Sequence, residues 1–229
     1  GAERVLLNLH NAFPEAPIYT SIYVPEDSYP EFRNCEIITS KFRFIAKNER
    51  QFKMRFFPLG ILAMEMLDLS NYDLVLMSTT HCAKYVNTSS NSIVIAYCYT
   101  PFRLAWNPDS YAMYENSKGI KKLILSKIVN HLKKNDYQHS RKINYFLAMT
   151  NETATRIKNA YDFNNEIPVF NPSIDCSKFY VSPDIDNYYL VVSRLEKYKK
   201  IDIVIEAFNK LKLPLKIVGR GVEKDKLQK

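Results

Sequence analysis

The chain predicts an α/β protein built on parallel sheets, and three observations carry that prediction. Short apolar runs of strand length alternate with helix-spaced segments. Two of these runs, YDLVLMS (72–78) and NSIVIAYCYT (91–100), are apolar almost throughout, as a sheet covered on both faces requires. A strand–helix–strand unit then starts afresh at Tyr188, after a polar, proline-containing stretch.

Taken in order, AERVLLNLHNAF (2–13) reads as a helix. Val5, Leu6, Leu9 and Phe13 share one face, and Glu3 sits in the first turn, where it complements the helix dipole. APIYTSIYV (16–24) and CEIITS (35–40) read as strands. Residues 51–67 carry helix-spaced apolar groups, Phe56, Leu59, Ala63 and Leu67, despite the Pro58-Leu59-Gly60 interruption. After the two long strands, KINYFLAMT (142–150) is a third. TNETATRIKNAY begins a short helix capped by Thr150 or Asn151. EIPVFNPSID follows as a strand ending at Pro172. The expected division is therefore a first domain at 1–172, a linker at 173–187 and the beginning of a second domain at 188–229.

Composition narrows the function. The chain has 229 residues, a net charge of +8, 46% hydrophobic residues and only five glycines. That glycine count leaves little room for a dinucleotide fingerprint, and no strand is followed by Gly-x-Gly-x-x-Gly. Cys35, Cys82, Cys98 and Cys176 are far apart, with no zinc spacing, and read as buried or half-buried reduced thiols. No apolar run is long enough to span a bilayer. Basic residues gather in two places. Lys41, Arg43, Lys47, Arg50, Lys53 and Arg55 interleave with Phe42, Phe44, Ile45 and Phe52. A second run holds Lys118, Lys121, Lys122, Lys127, Lys133, Lys134, Arg141 and Lys142. A basic-aromatic amphipathic segment is a solvated face, a surface for an anionic membrane or the lining of a nucleic-acid groove, and it is the stretch 41–57 that suggests peripheral membrane docking. No recognisable nucleic-acid reader motif accompanies them, so nucleic acid is not an expected partner.

The chemistry-bearing residues fall where strands end. Arg194 and Lys199 lie in the polar loop after YYLVV. There a planar guanidinium and a mobile ammonium could receive a departing diphosphate, at the edge where open α/β sheets bind ligands. Gly219 and Gly221 flank Arg220 after the next strand; Gly-x-Gly alone is a weak signal and more often only a tight turn. Gly1 opens a helix, where backbone N–H groups and the dipole favour an anion. His81 and Tyr99 follow two central strands and Arg103 lies just beyond, so all three are expected on one rim.

Six segments occur in one order with sensible spacing: GAERV (1–5), STTHCAKYV (78–86), AYCYTPFRLAW (96–106), FLAMTNETATRIKNAY (146–161), VFNPSID (169–175) and SRLEKYKKIDIVIEAFNKL (193–211). Together they resemble the family 4 glycosyltransferases. The resemblance implies a GT-B fold, two Rossmann-like domains facing a cleft with the second only partly present here. It implies a retaining transfer of sugar from a nucleotide-sugar donor, with GDP-mannose as one guess, to a lipid-linked or polysaccharide acceptor. Gly1, Glu3, Arg4, Gly219 and Gly221 would then bind the donor, Arg194 and Lys199 would be catalytic, and His81, Tyr99 and Arg103 would line the acceptor and sugar cleft. No metal or cofactor is expected, since the sequence offers no ligand cluster and the family is usually independent of divalent ions; nor is a side-chain base required, because the leaving phosphate oxygen can accept the acceptor's proton. The family commonly has His where this chain has Tyr99, and a phenol is a poor base at neutral pH. The family's paired-Glu signature and first strand are not in the sequence. Both ends read as cut, so the expectation is an inactive fragment of a longer enzyme, cytoplasmic and peripheral at the inner face of the membrane. The rival reading is a non-catalytic α/β module that holds a nucleotide or polyanion.

Overall fold

The structure, a computed structural model, describes residues 1–42 and 57–228. The basic-aromatic stretch 41–57 thus lies almost wholly outside the described residues; at its start, Lys41 is exposed and Phe42 packs against Ala63. The chain divides into two compact units, Gly1–Ile174 and Asp175–Lys229. The architecture is mixed α/β, and every described sheet is parallel.

The first unit opens with α1 (Ala2–Ala12), whose N-cap is Gly1 and whose first turn holds Glu3. The expected apolar stripe needs correction. Val5 and Leu7 are the buried residues, while Phe13 caps the helix end and is half exposed. The reason is that α1 is apolar on two sides. Leu7 joins Ile18 and Phe32 in a small core, and Leu6 and Leu9 turn towards a groove described below.

Next come β1 (Ile18–Thr20) and β2 (Ile37–Thr39), paired in parallel from Ile18↔Ile37 to Thr20↔Thr39. Both are shorter than the apolar segments that contain them. Helix α2 (Phe57–Glu65) buries Ile61, Ala63 and Met64.

The central sheet consists of β3 (Leu74–Thr79), β4 (Ile93–Cys98) and β5 (Tyr145–Ala148), with β4 in the middle. Val75, Met77, Val94, Ala96, Cys98, Phe146 and Ala148 form the heart of the core. Cover on both faces fails at the amino ends, where Leu74, Ile93 and Tyr145 stand about half exposed.

Four further α-helices follow among the described residues: α3 (Arg103–Trp106), α4 (Ala112–Glu115), α5 (Gly119–Ser140) and α6 (Asn151–Tyr161). The 22-residue α5 is not among the expected elements. The start of α6 is settled by Thr150, whose Oγ1 accepts the Thr153 N–H at 3.1 Å. EIPVFNPSID, expected as a strand, yields a single bridge between Ala148 and Val169. Pro168 and Pro172 lack the N–H groups a longer ladder needs.

The second unit has β6 (Tyr189–Val192), α7 (Ile201–Leu211), β7 (Leu215–Val218) and one turn of helix, α8 (Lys224–Leu227). Strands β6 and β7 pair in parallel, from Tyr189↔Leu215 to Val192↔Val218. Lys200 and Lys212 bracket α7 in the left-handed conformation. Among the described hydrophobics of this unit, only Leu195 and Ile201 are buried.

Candidate functional site

In the first unit the carboxyl ends of β3 and β4 gather His81, Tyr99 and Arg103. His81 leaves β3, stacks on Phe102 with ring centroids 4.9 Å apart, and has Nδ1 3.2 Å from the Thr80 hydroxyl. Tyr99 leaves β4. Its phenol shares a 2.9 Å hydrogen bond with Ser78 and lies 3.2 Å from the Ala2 carbonyl, which it can reach as a donor. Burial pushes the Tyr99 phenol above its usual range, so it is protonated at neutral pH and acts as a hydrogen-bonding group rather than a base. Arg103 begins α3, with its guanidinium 5.9 Å from the Tyr111 ring centre.

The Tyr99–Ala2 contact brings the start of α1 to the same edge. Around Gly1 there is open space, with nothing within 4 Å of where a Cβ would stand. Arg4 points elsewhere: it binds Glu31 at 2.6 Å and lies over the Tyr29 ring at 4.0 Å. Glu3 lines a small cavity of about 150 Å³ with Leu6, Ile18 and Tyr23. Of these three residues, Arg4 and Glu3 are thus engaged elsewhere, while Gly1 has open space where a side chain would stand.

His81 and Arg103 also line the mouth of a large groove of about 900 Å³. Its floor and walls come from β1 and the residues flanking it, from the whole of β3, from Leu6 and Leu9 of α1 and from Phe13 at that helix's end. Ile18 and Thr20 spend their backbone groups on β2, and Val75, Met77 and Thr79 spend theirs on β4. Strand alternation therefore aims the N–H and C=O of Tyr19, Leu74, Leu76 and Ser78 into the groove.

Behind His81 is a buried polar cluster that the sequence reading did not single out. Lys84 and Asp136 are 1% and 0% exposed and form an ion pair at 2.6 Å. Lys84 also donates to Tyr161 at 2.8 Å. Asp136 Oδ2 accepts from Trp106 Nε1 at 2.8 Å and from the Tyr161 hydroxyl at 2.9 Å. The cluster ties together the 3-10 turn Cys82–Tyr85, α3, α5 and α6, and so fixes the backbone from which His81 and Arg103 project. A Lys and an Asp 52 residues apart give no local sign of pairing; the signal was the apolar company of Lys84 in CAKYV.

In the second unit, Arg194 and Lys199 are both exposed in the loop after β6. They flank Tyr198, at 5.9 Å and 5.4 Å from its ring centre, and Arg194 Nη2 donates to the Tyr198 hydroxyl at 2.6 Å. Gly219 and Gly221 follow β7 and pack against the same loop. A Cβ on Gly219 would stand 1.8 Å from the Ser193 carbonyl oxygen, and one on Gly221 would stand 2.2 Å from that of Leu195. Both glycines thus hold the 193–196 loop by close backbone approach.

Cys35 and Cys82 are half-buried and Cys98 is buried, whereas Cys176 is exposed rather than half-buried, at the start of the short 3-10 turn Cys176–Lys178 after the first unit. Among the described residues, no group of three or more His, Cys, Asp or Glu side chains is placed to share a metal ion, and no helix is long and apolar enough to cross a membrane. No family model and no curated protein matches the chain.

Proposed function

We propose that the chain belongs to a retaining glycosyltransferase of the GT-B type, which moves a sugar from a nucleotide donor to the hydroxyl of a lipid-linked or polysaccharide acceptor. The observation that carries this reading is the cation pair Arg194 and Lys199. They sit side by side around Tyr198, exposed, in the loop at the carboxyl end of a parallel strand, braced by two obligatory glycines. The guanidinium offers a fork for two phosphate oxygens and the ammonium a second charge, which together stabilise the diphosphate as the glycosidic bond to the donor breaks. The phosphate oxygen set free takes the proton of the attacking hydroxyl, so no side-chain base is required. Tyr99, held protonated, and His81 and Arg103, which follow the same strand ends, are suited to orienting sugar hydroxyls.

The test is calorimetric titration of GDP, UDP and ADP, followed by GDP-mannose and other nucleotide sugars, with product analysis for released or transferred sugar. R194A and K199A should each weaken diphosphate binding by about tenfold to a hundredfold. Undiminished binding by the double variant removes the basis of the proposal. Tight binding with no sugar release under any donor and acceptor favours the non-catalytic nucleotide or polyanion module instead.

A further inference from the structure

Helix α5 carries a surface that the transfer chemistry does not use. Its inner face, Val129, Leu132, Asp136 and Ser140, is buried against the first unit. On the opposite face of the first three turns, Ile120, Leu123, Ile124 and Ile128 are 78%, 59%, 54% and 49% exposed. At 3.6 residues per turn these four project within one broad stripe. The neighbouring Met113 and Tyr111 extend the apolar surface beyond the helix start and are also exposed.

Charge frames this stripe with a single sign. Lys118, Lys121, Lys122, Lys127, Lys133 and Lys134 lie along the segment, and no Asp or Glu occurs between Ser117 and Asn135. Two of the lysines are engaged inward: Lys122 lies over the Tyr114 ring at 3.5 Å and Lys133 over Trp106 at 4.6 Å. Lys118, Lys121, Lys127 and Lys134 are exposed around the aliphatic residues. A solvated helix face would carry polar residues where these isoleucines stand. On the amino-terminal side the nearest acids, Asp109 and Glu115, lie before the helix start, where Asp109 pairs with Lys122 at 3.7 Å. Along the stripe itself four exposed cations stand with no acid among them, which a face for an ordinary protein partner would seldom show.

We infer that this face of α5 docks on an anionic lipid surface, with the isoleucines and leucine entering the boundary between headgroups and acyl chains and the lysines meeting lipid phosphates. Aliphatic side chains flanked by long cationic ones match that boundary on both counts, since Lys can bury its stem and keep its ammonium among the headgroups. The inference stands on the helix itself. It can fail while diphosphate binding persists, or hold while diphosphate binding fails.

The experiment is co-sedimentation of the full chain with vesicles of phosphatidylcholine alone and with vesicles containing phosphatidylglycerol. Binding is expected only to the anionic vesicles and should fall as salt is added. K121Q/K127Q should weaken partitioning by roughly thirtyfold, and I120S/I124S by a similar factor. Both pairs of positions are exposed, so far-ultraviolet circular dichroism and the melting temperature should match the parent. Three outcomes overturn the inference: no vesicle binding, binding indifferent to both variants, or self-association that I120S/I124S abolishes in a chain that ignores vesicles.

Discussion

Among single residues, the pair Lys84 and Asp136 makes the sharpest demand. Both side chains are sealed from solvent, so each charge depends on the other. Removing one partner strands the other in a low-dielectric core, which typically costs about 3–5 kcal/mol. D136A should therefore lower urea stability by about that amount, whereas K84M/D136L, which removes both charges, should cost markedly less. Equal losses in the single and double variants would show that volume rather than charge dominates there. Cys98 makes a second, pH-dependent demand. Burial pushes its thiol from 9.0 up to about 11, so folding favours the neutral form. The stability this contributes is complete below pH 9 and drains away as pH rises through 11. C98A, with no proton to lose, should show a flatter decline across that window, by up to about 1.4 kcal/mol per pH unit. Parallel declines of C98A and parent would rule the thiol out as a source.

At the scale of elements, the loops of the second unit rest on backbone contacts that only glycine permits. G219A and G221A each force a methyl into a carbonyl of the 193–195 loop, and both should disorder that loop and abolish the diphosphate binding proposed for it. G1A has open space around it and should leave the fold unchanged, so any binding loss there would report on the anion approach itself. Nuclear magnetic resonance spectra of the three variants distinguish these cases.

The elements also show why the sequence was readable in some places and not in others. LVLMST and IVIAYC announce themselves because a parallel strand in a core is apolar along nearly its whole length, and Thr150 announces a helix start by chemistry. The long helix α5 escaped because its exposed isoleucines add apolar residues on the face that normally marks the solvent side, which blurs the period. EIPVFNPSID looked like a strand because Ile167, Val169 and Phe170 make a short apolar run of β-prone residues; Pro168 and Pro172 decided otherwise. As for the site, the strand-end positions of His81, Tyr99 and Arg103 could be inferred from order alone. The engagement of Arg4 by Glu31 could not, because it depends on residues 27 apart meeting in space.

For the whole molecule, the two units differ in how much they hold in reserve. The first buries a continuous core of about twenty residues, whereas the second is a two-stranded sheet with one full helix and leaves Tyr189, Leu190, Val192, Ile203 and Val218 more than half exposed. Two strands and one helix give little independent stability. Limited proteolysis should therefore digest residues 175–229 first and leave a resistant core ending near Ile174. Simultaneous loss of both units would show that they unfold as one.

The groove beside β3 has its own consequence for how the backbone breathes. Three strands share the central sheet, yet along β3 alternate amides have opposite fates: those of Val75, Met77 and Thr79 are locked to β4, while those of Leu76 and Ser78 open onto a trench wide enough for water. Deuterium should consequently enter β3 residue by residue in a two-beat rhythm, fast at 76 and 78 and slow at 75, 77 and 79, long before any of β4 is labelled.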